Sequence, residues 1–139
     1  MTTHQASLEL RTSGRGMVEI TSDVAAIVRR SGVTTGLVSI FCLHTSCSLL
    51  LMENADPTAR HDLEAWLARI APDGDPRYAH AAEGPDDMSA HLRMALTRTQ
   101  ESLPIREGTL ALGTWQGLYL CEHRTAPHRR QLIATVIGE

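Results

Sequence analysis

The chain reads as one α+β domain over residues 1–139, a mostly antiparallel or mixed β-sheet carrying about three helices. Three observations predict this class. Alternating stretches open the chain, two segments further on repeat at helical spacing around a long polar loop, and a run of strands closes it without a helix between them. Residues 4–13, HQASLELRTS, place Ala6, Leu8 and Leu10 on one face and Ser7, Glu9 and Arg11 on the other, as a half-buried strand does. Ile20, Val24, Ile27 and Val28 then recur at helical spacing, with Thr21 or Ser22 expected as the cap and Gly32 as the stop. Residues 36–43 and 47–53 are aliphatic strands joined around His44, Thr45 and Ser46. Asp56 and Pro57 open a second helix with an apolar stripe of Leu63, Trp66, Leu67 and Ile70, and Pro72 closes it. A third helix is expected over 87–98, with Met88, Leu92 and Ala95 inward, followed by strands near 102–106, 108–113, 117–123 and 130–137.

Composition excludes several classes. Thirteen basic against 16 acidic residues give a net charge of -3, which argues against a nucleic-acid binder or a membrane-surface protein. No apolar run approaches the roughly 20 residues that a membrane helix needs, and the first ten residues lack the cationic and apolar regions of a signal peptide. Cys42, Cys47 and Cys121 are odd in number and not spaced as a disulfide framework, so free thiols in a reducing, cytoplasmic setting are expected.

The chemistry concentrates in three places. His44 ends a strand beside the hydroxyls of Thr45 and Ser46, an arrangement open to a turn that satisfies its own backbone or to anion binding and acid–base work. The loop 72–86 is long and rich in Gly and Pro, as functional or disordered loops are, and it carries His80. Asp87 and His91 share a face of the next helix, either as a surface pair or as a carboxylate that ligates or orients with the imidazole. The third place is GTWQGLYLCEHR, residues 113–124, where Trp115 and Tyr119 precede Glu122, His123 and Arg124. Arg124 suits bidentate recognition of a phosphate or carboxylate, and Arg129 and Arg130 follow it. His80, His91 and His123, from a loop, a helix and a strand, are the right donors for the nitrogens of a catalytic zinc site, although their spacing forms no compact motif.

HTSCSLLLMENADP (44–57), YAHAAEGPDDMSAHL (78–92) and GTLALGTWQGLYLCEHR (108–124) together resemble the YjbQ-like family, also called secondary thiamine-phosphate synthase enzymes. The resemblance runs in order over nearly the whole chain. It implies a small single-domain α+β fold, a homotrimer, and a polar pocket in which His80, His91 and His123 form a metal or anion site with His44 and Arg124 nearby. Two positions depart from the family's usual pattern: Cys47 stands where a small residue is typical, and Ser89 where proline is, which is expected to loosen the start of the third helix.

The resemblance also implies a transferase that joins a pyrimidine diphosphate to a thiazole phosphate and releases pyrophosphate. Such chemistry calls for cations on the diphosphate and a pocket poor in water. A divalent metal, zinc or magnesium, with Arg124 and Arg130 would meet the diphosphate, and Trp115 or Tyr119 would stack on the flat ring. The expected partner is thus a small phosphorylated molecule, with His44, Asp87, Glu122 and Arg124 as catalytic residues and Thr45 and Ser46 lining the pocket. Two alternatives remain open: metal-assisted hydrolysis of a phosphoester, with Glu122 or Glu83 as base, and a non-enzymatic protein that binds metal or a small molecule.

Overall fold

A computed structural model describes all of residues 1–139. The elements in chain order are β1 (Thr2–Arg11), β2 (Gly16–Glu19), α1 (Thr21–Ser31), β3 (Thr35–Cys42), β4 (Cys47–Glu53), α2 (Pro57–Ile70), α3 (Asp87–Leu96), β5 (Gln100–Arg106), β6 (Thr109–Leu110), β7 (Gln116–Glu122) and β8 (Arg129–Gly138). They form two sheets, β1-β8-β3-β5-β6 and β2-β7-β4, with every pair antiparallel. The α+β class with three helices is as expected, and the strand pattern divides into two sheets. The short β2, which pairs with β7, is an element that the sequence alone did not disclose.

The core lies between the sheets and α1. Val24, Ile27 and Val28 of α1 pack with Val38 and Ile40 of β3, Leu118 and Leu120 of β7, and Leu132, Ala134 and Val136 of β8. Alternation along β3 and β8 supplies one side of this core and leaves Leu37, Phe41 and Ile137 exposed on the outer face of the larger sheet. Gly36 permits β3 to lie against β8, because a Cβ there would run into the backbone carbonyl of Ile137. No helix is long and apolar enough to cross a membrane.

Helix boundaries follow local chemistry. Gly32 stops α1 in the left-handed region at φ 72°. Asp56 caps α2 by accepting the Thr58 N–H at 3.0 Å, and Pro57 occupies the first turn. Three expectations fail. Neither Thr21 nor Ser22 caps α1, for Ile20 holds that position; the Thr21 hydroxyl donates to Glu19 and accepts the Leu118 N–H, tying the helix to β7. The α2 stripe is only partly used, since Leu67 is buried while Trp66 and Ile70 are 46% and 45% exposed. In α3 the buried residues are Asp87, Ser89, Ala90 and Arg93, whereas Ala95 is exposed. That helix turns a polar face inward because partners for those polar groups wait there.

Candidate functional site

The loop between α2 and α3 folds back on itself. Gly74 N–H donates to Pro85 O at 2.9 Å and closes its neck, and the Tyr78 hydroxyl donates to Pro72 O at 2.8 Å. Such a compact Ω-loop, packed by its own side chains, is a frequent carrier of function. It places His80 over the first turn of α3.

There, Asp87 meets two imidazoles. Its Oδ2 lies 2.9 Å from His80 Nε2 and 3.3 Å from His91 Nε2. The rings are 5.3 Å apart at 51°, and the three ligand atoms lie within 4.8 Å of one another. Asp87 is 1% exposed, His91 half-buried and the His80 side chain 55% exposed, so the cluster opens to solvent on the His80 side. His91 Nδ1 lies 2.6 Å from Thr45 O. A carbonyl only accepts, so Nδ1 carries the hydrogen and Nε2 of a neutral His91 presents a lone pair to the carboxylate. Two lone pairs converge on one point, which calls for a proton or a cation between them. The donor set, two imidazole nitrogens and a carboxylate oxygen with outer hydrogen bonds already in place, fits a divalent metal such as zinc.

Arg124 holds the other side of the carboxylate. Its Nη1 donates to Asp87 Oδ1 at 2.9 Å, its Nε to Asp86 Oδ2 at 3.0 Å and its Nη2 to Glu83 O at 3.2 Å. Thr125 N–H also donates to Asp86 Oδ2, at 2.8 Å. Burial pushes the Asp86 carboxyl up, but Arg124 and Thr125 outweigh it and hold the group far below the usual carboxylate range. The guanidinium is therefore spent on Asp86 and Asp87, and it positions the cluster where sequence reasoning cast it as a phosphate fork. Asp86 escaped that reasoning, because its role depends on a residue 38 positions away.

His123 was expected as the third metal ligand, and the structure places it elsewhere. Its N–H donates to Ser46 O at 3.2 Å, so the pairing of β7 with β4 runs one residue past Glu122, and Glu122 and His123 leave the strand on opposite faces. His123 Nε2 lies 2.8 Å from Ser48 Oγ, which in turn lies 2.5 Å from Thr97 Oγ1. The residue is 0% exposed and its Nδ1 is buried without a partner. Burial, aided by the charge of Arg93, pushes its pKa down to about 4. Asp87, not His123, completes the set with His80 and His91.

Glu122 faces the interior. It is 0% exposed and bound to Arg130 through Nε–Oε2 at 2.7 Å and Nη2–Oε1 at 2.5 Å. Thr12 Oγ1 and Arg124 N–H donate to the same carboxylate at 2.8 and 3.0 Å. Burial raises the Glu122 pKa, yet these donors outweigh it and keep the group ionised. Glu122 is thus no base for a ligand arriving from solvent. Arg130, 4% exposed, also donates to Ser46 Oγ at 3.0 Å, which makes Ser46 and Arg130 parts of the same buried network.

His44 Nε2 accepts the Gln131 N–H at 2.8 Å while Nδ1 faces Arg130 Nη1 at 3.5 Å. Burial and the Arg130 charge lower its pKa, and Nε2 is occupied as the acceptor for Gln131. Thr45 is exposed and touches the cluster through its carbonyl. Trp115 is 64% exposed in the turn before β7, and Tyr119 sits four residues, roughly 13 Å of extended chain, from His123 with its hydroxyl accepting from Arg60 at 3.0 Å. Neither aromatic belongs to the His80–Asp87–His91 cluster. Ser89 does not loosen α3. Its hydroxyl donates to Asp73, which also receives both terminal nitrogens of Arg15 at 2.8 and 2.9 Å, so the helix start is tied to the loop.

Two antiparallel sheets around one helix, with a histidine–aspartate cluster held between an Ω-loop, α3 and the β3–β4 turn, define a class of small α+β proteins. The chain belongs to the UPF0047 protein YjbQ-like family, whose model matches residues 6–139. A UPF0047 protein of Synechocystis is 48% identical over 136 residues, covering 98% of this chain and 92% of the relative. The UPF0047 protein YjbQ of Escherichia coli O157:H7 is 39% identical, covering 98% and 99%. Among solved structures, a conserved hypothetical protein from Thermus thermophilus matches with a TM-score of 0.85 at 37% identity, over 95% of this chain and 99% of that one. A hypothetical protein from Aeropyrum pernix reaches 0.89 at 24% identity, over 98% and 99%, a likeness of fold alone. None of these four names carries a reaction or a ligand.

Proposed function

We propose that the chain is a divalent-metal-dependent enzyme acting on a small phosphorylated molecule, with His80, Asp87 and His91 as the metal ligands. The observation that carries this reading is Asp87 Oδ2 facing two imidazole Nε2 atoms while His91 Nδ1 is committed to Thr45 O. Two nitrogens and one carboxylate oxygen favour zinc over magnesium, which prefers oxygen throughout. A bound cation supplies positive charge for phosphoryl oxygens. The chain's own residues do the rest: Thr45 O orients His91, Arg124 fixes Asp87 through Oδ1 and leaves Oδ2 for the ion, and His80 forms the exposed edge at which a ligand arrives.

The first candidate reaction is the transfer that the family resemblance implies, joining a pyrimidine diphosphate to a thiazole phosphate. The second is hydrolysis of a phosphoester. It is favoured by the pairing of Arg124 and Arg130 to carboxylates, which leaves neither guanidinium for a diphosphate leaving group. The homotrimer is proposed as well, with Leu37, Phe41 and Ile137 on the outer sheet face as the surface where copies meet. Three free cysteines, all buried, suit a reducing compartment such as the cytoplasm.

Elemental analysis of purified protein, zinc calorimetry, and product assays with the two thiamine precursors and with a phosphoester panel test this reading. Pyrophosphate release supports transfer, and phosphate release supports hydrolysis. Metal without turnover would leave a binding protein, and absence of metal affinity would overturn the site.

A further inference from the structure

A pocket of about 360 Å³ lies inside the Ω-loop, walled by Pro76, Tyr78, Ala81, Pro85 and Met88, with His80 as its boundary. Its volume falls in the range of roughly 300–1,000 Å³ typical of small-molecule sites. His80 lines this pocket and also meets Asp87 at 2.9 Å, so the pocket and the cluster adjoin at one shared residue. The walls are rigid for a loop. The neck is closed by Gly74 N–H on Pro85 O, Tyr78 is anchored through its hydroxyl, and its N–H donates to Asp75 O at 3.0 Å.

The charges nearby are already balanced. Asp75 is clamped by Arg77, with Nε and Nη2 at 3.0 and 2.6 Å, and Asp86 by Arg124. No lysine or arginine lines this pocket, and its one carboxylate, Asp75, is already paired, so away from His80 the walls carry no free charge. The phenol ring, two pyrrolidine rings and the Met88 thioether instead present flat, adaptable apolar surface. We infer that the Ω-loop pocket is the specificity subsite, and that it takes the uncharged, flat ring of a ligand whose phosphoryl group lies at His80, Asp87 and His91. The inference rests on the metal-dependent reading above and adds to it the place in the fold where the ring of such a ligand is held.

Calorimetry of the zinc-loaded full chain with phenylphosphonate and methylphosphonate tests it, since neither probe can be hydrolysed to phosphate. Phenylphosphonate is expected to bind about 10- to 100-fold more tightly, the scale of removing one ring from water. Tyr78→Ala should erase that preference and Tyr78→Phe, which loses the hydroxyl anchor and keeps the ring, should restore it, which separates the ring face from the anchor. Equal binding of the two probes by the parent chain would overturn the pocket assignment and leave the metal site standing. A preference that survives Tyr78→Ala would overturn it too. Failure of zinc or of both probes to bind would overturn the metal-dependent reading and the inference with it.

Discussion

His123 allows a stability measurement to be predicted from its surroundings. It is 0% exposed, hydrogen-bonded to Ser48 through Nε2, unpartnered at Nδ1, and its pKa is pushed down to about 4 by burial and the Arg93 charge. An unfolded chain returns the ring to its ordinary value near 6.5. Between those values the unfolded state binds the proton and the folded state does not, so stability rises with pH there and is lost as pH falls from about 6.5 toward 4. At about 1.4 kcal/mol per tenfold, the full loss is about 3 kcal/mol. Urea unfolding at fixed protein concentration between pH 7.5 and pH 4.5 should reveal most of it. His123→Gln retains a polar group for Ser48 and cannot take up a proton. It should start less stable at pH 7.5 and show a pH dependence flatter by about 2–3 kcal/mol. A proton-resonance titration placing His123 near 6.5, or a variant with the parent's slope, would refute the argument.

Three other outcomes follow from the geometry. Asp87→Asn should lower zinc affinity by more than the ~10–100-fold of an outer-shell change, because Oδ2 faces both imidazoles, and an unchanged isotherm would make the cluster structural. Glu122→Ala should cost about 3–5 kcal/mol in chemical denaturation by stranding Arg130 inside the protein, and a loss below 1 kcal/mol would mean that water reaches that pair. If copies meet on the outer sheet face, Ile137→Lys should shift light scattering from trimer to monomer with the circular dichroism unchanged, whereas a monomeric parent chain would dismiss the assembly.

The parts of this fold legible in the sequence are those governed by neighbours in the chain. Alternation in β1, the aliphatic run of β3, the Asp56–Pro57 start of α2 and the Gly32 stop of α1 are local events, and they emerge as expected. His80, Asp87 and His91 lie within twelve residues, so their meeting was also within reach. Long-range pairing was not. Nothing near Arg124 states that its donors will go to Asp86 and Asp87, and nothing near Glu122 states that it will face inward to Arg130. Helix α3 shows why hydrophobic pattern misleads here. Counting Met88, Leu92 and Ala95 as the inward face assumes an apolar neighbour, but what it meets is the end of β7 and the Asp73–Arg15 pair, which reward Asp87 and Ser89.

The run Cys121–Glu122–His123–Arg124 explains how one strand end serves four purposes. Side chains alternate along the extended backbone, so consecutive residues cannot share a destination. Cys121 is buried, and that burial pushes its thiol up to about 12, so it fills space without reacting. Glu122, on the opposite face, anchors Arg130 and through it Ser46, which fixes the β3–β4 turn whose Thr45 carbonyl orients His91. His123 returns to the first face and locks Ser48. Arg124, past the last paired residue, is free to swing out and grip Asp86 and Asp87. The histidine–aspartate cluster is thereby held from two sides by neighbouring residues of one strand end, through Arg124 on Asp87 directly and through Glu122, Arg130 and the turn on His91. A loop carrying the same residues would meet the same partners with less certainty of position, which is the physical reason for ending a rigid strand on so polar a sequence.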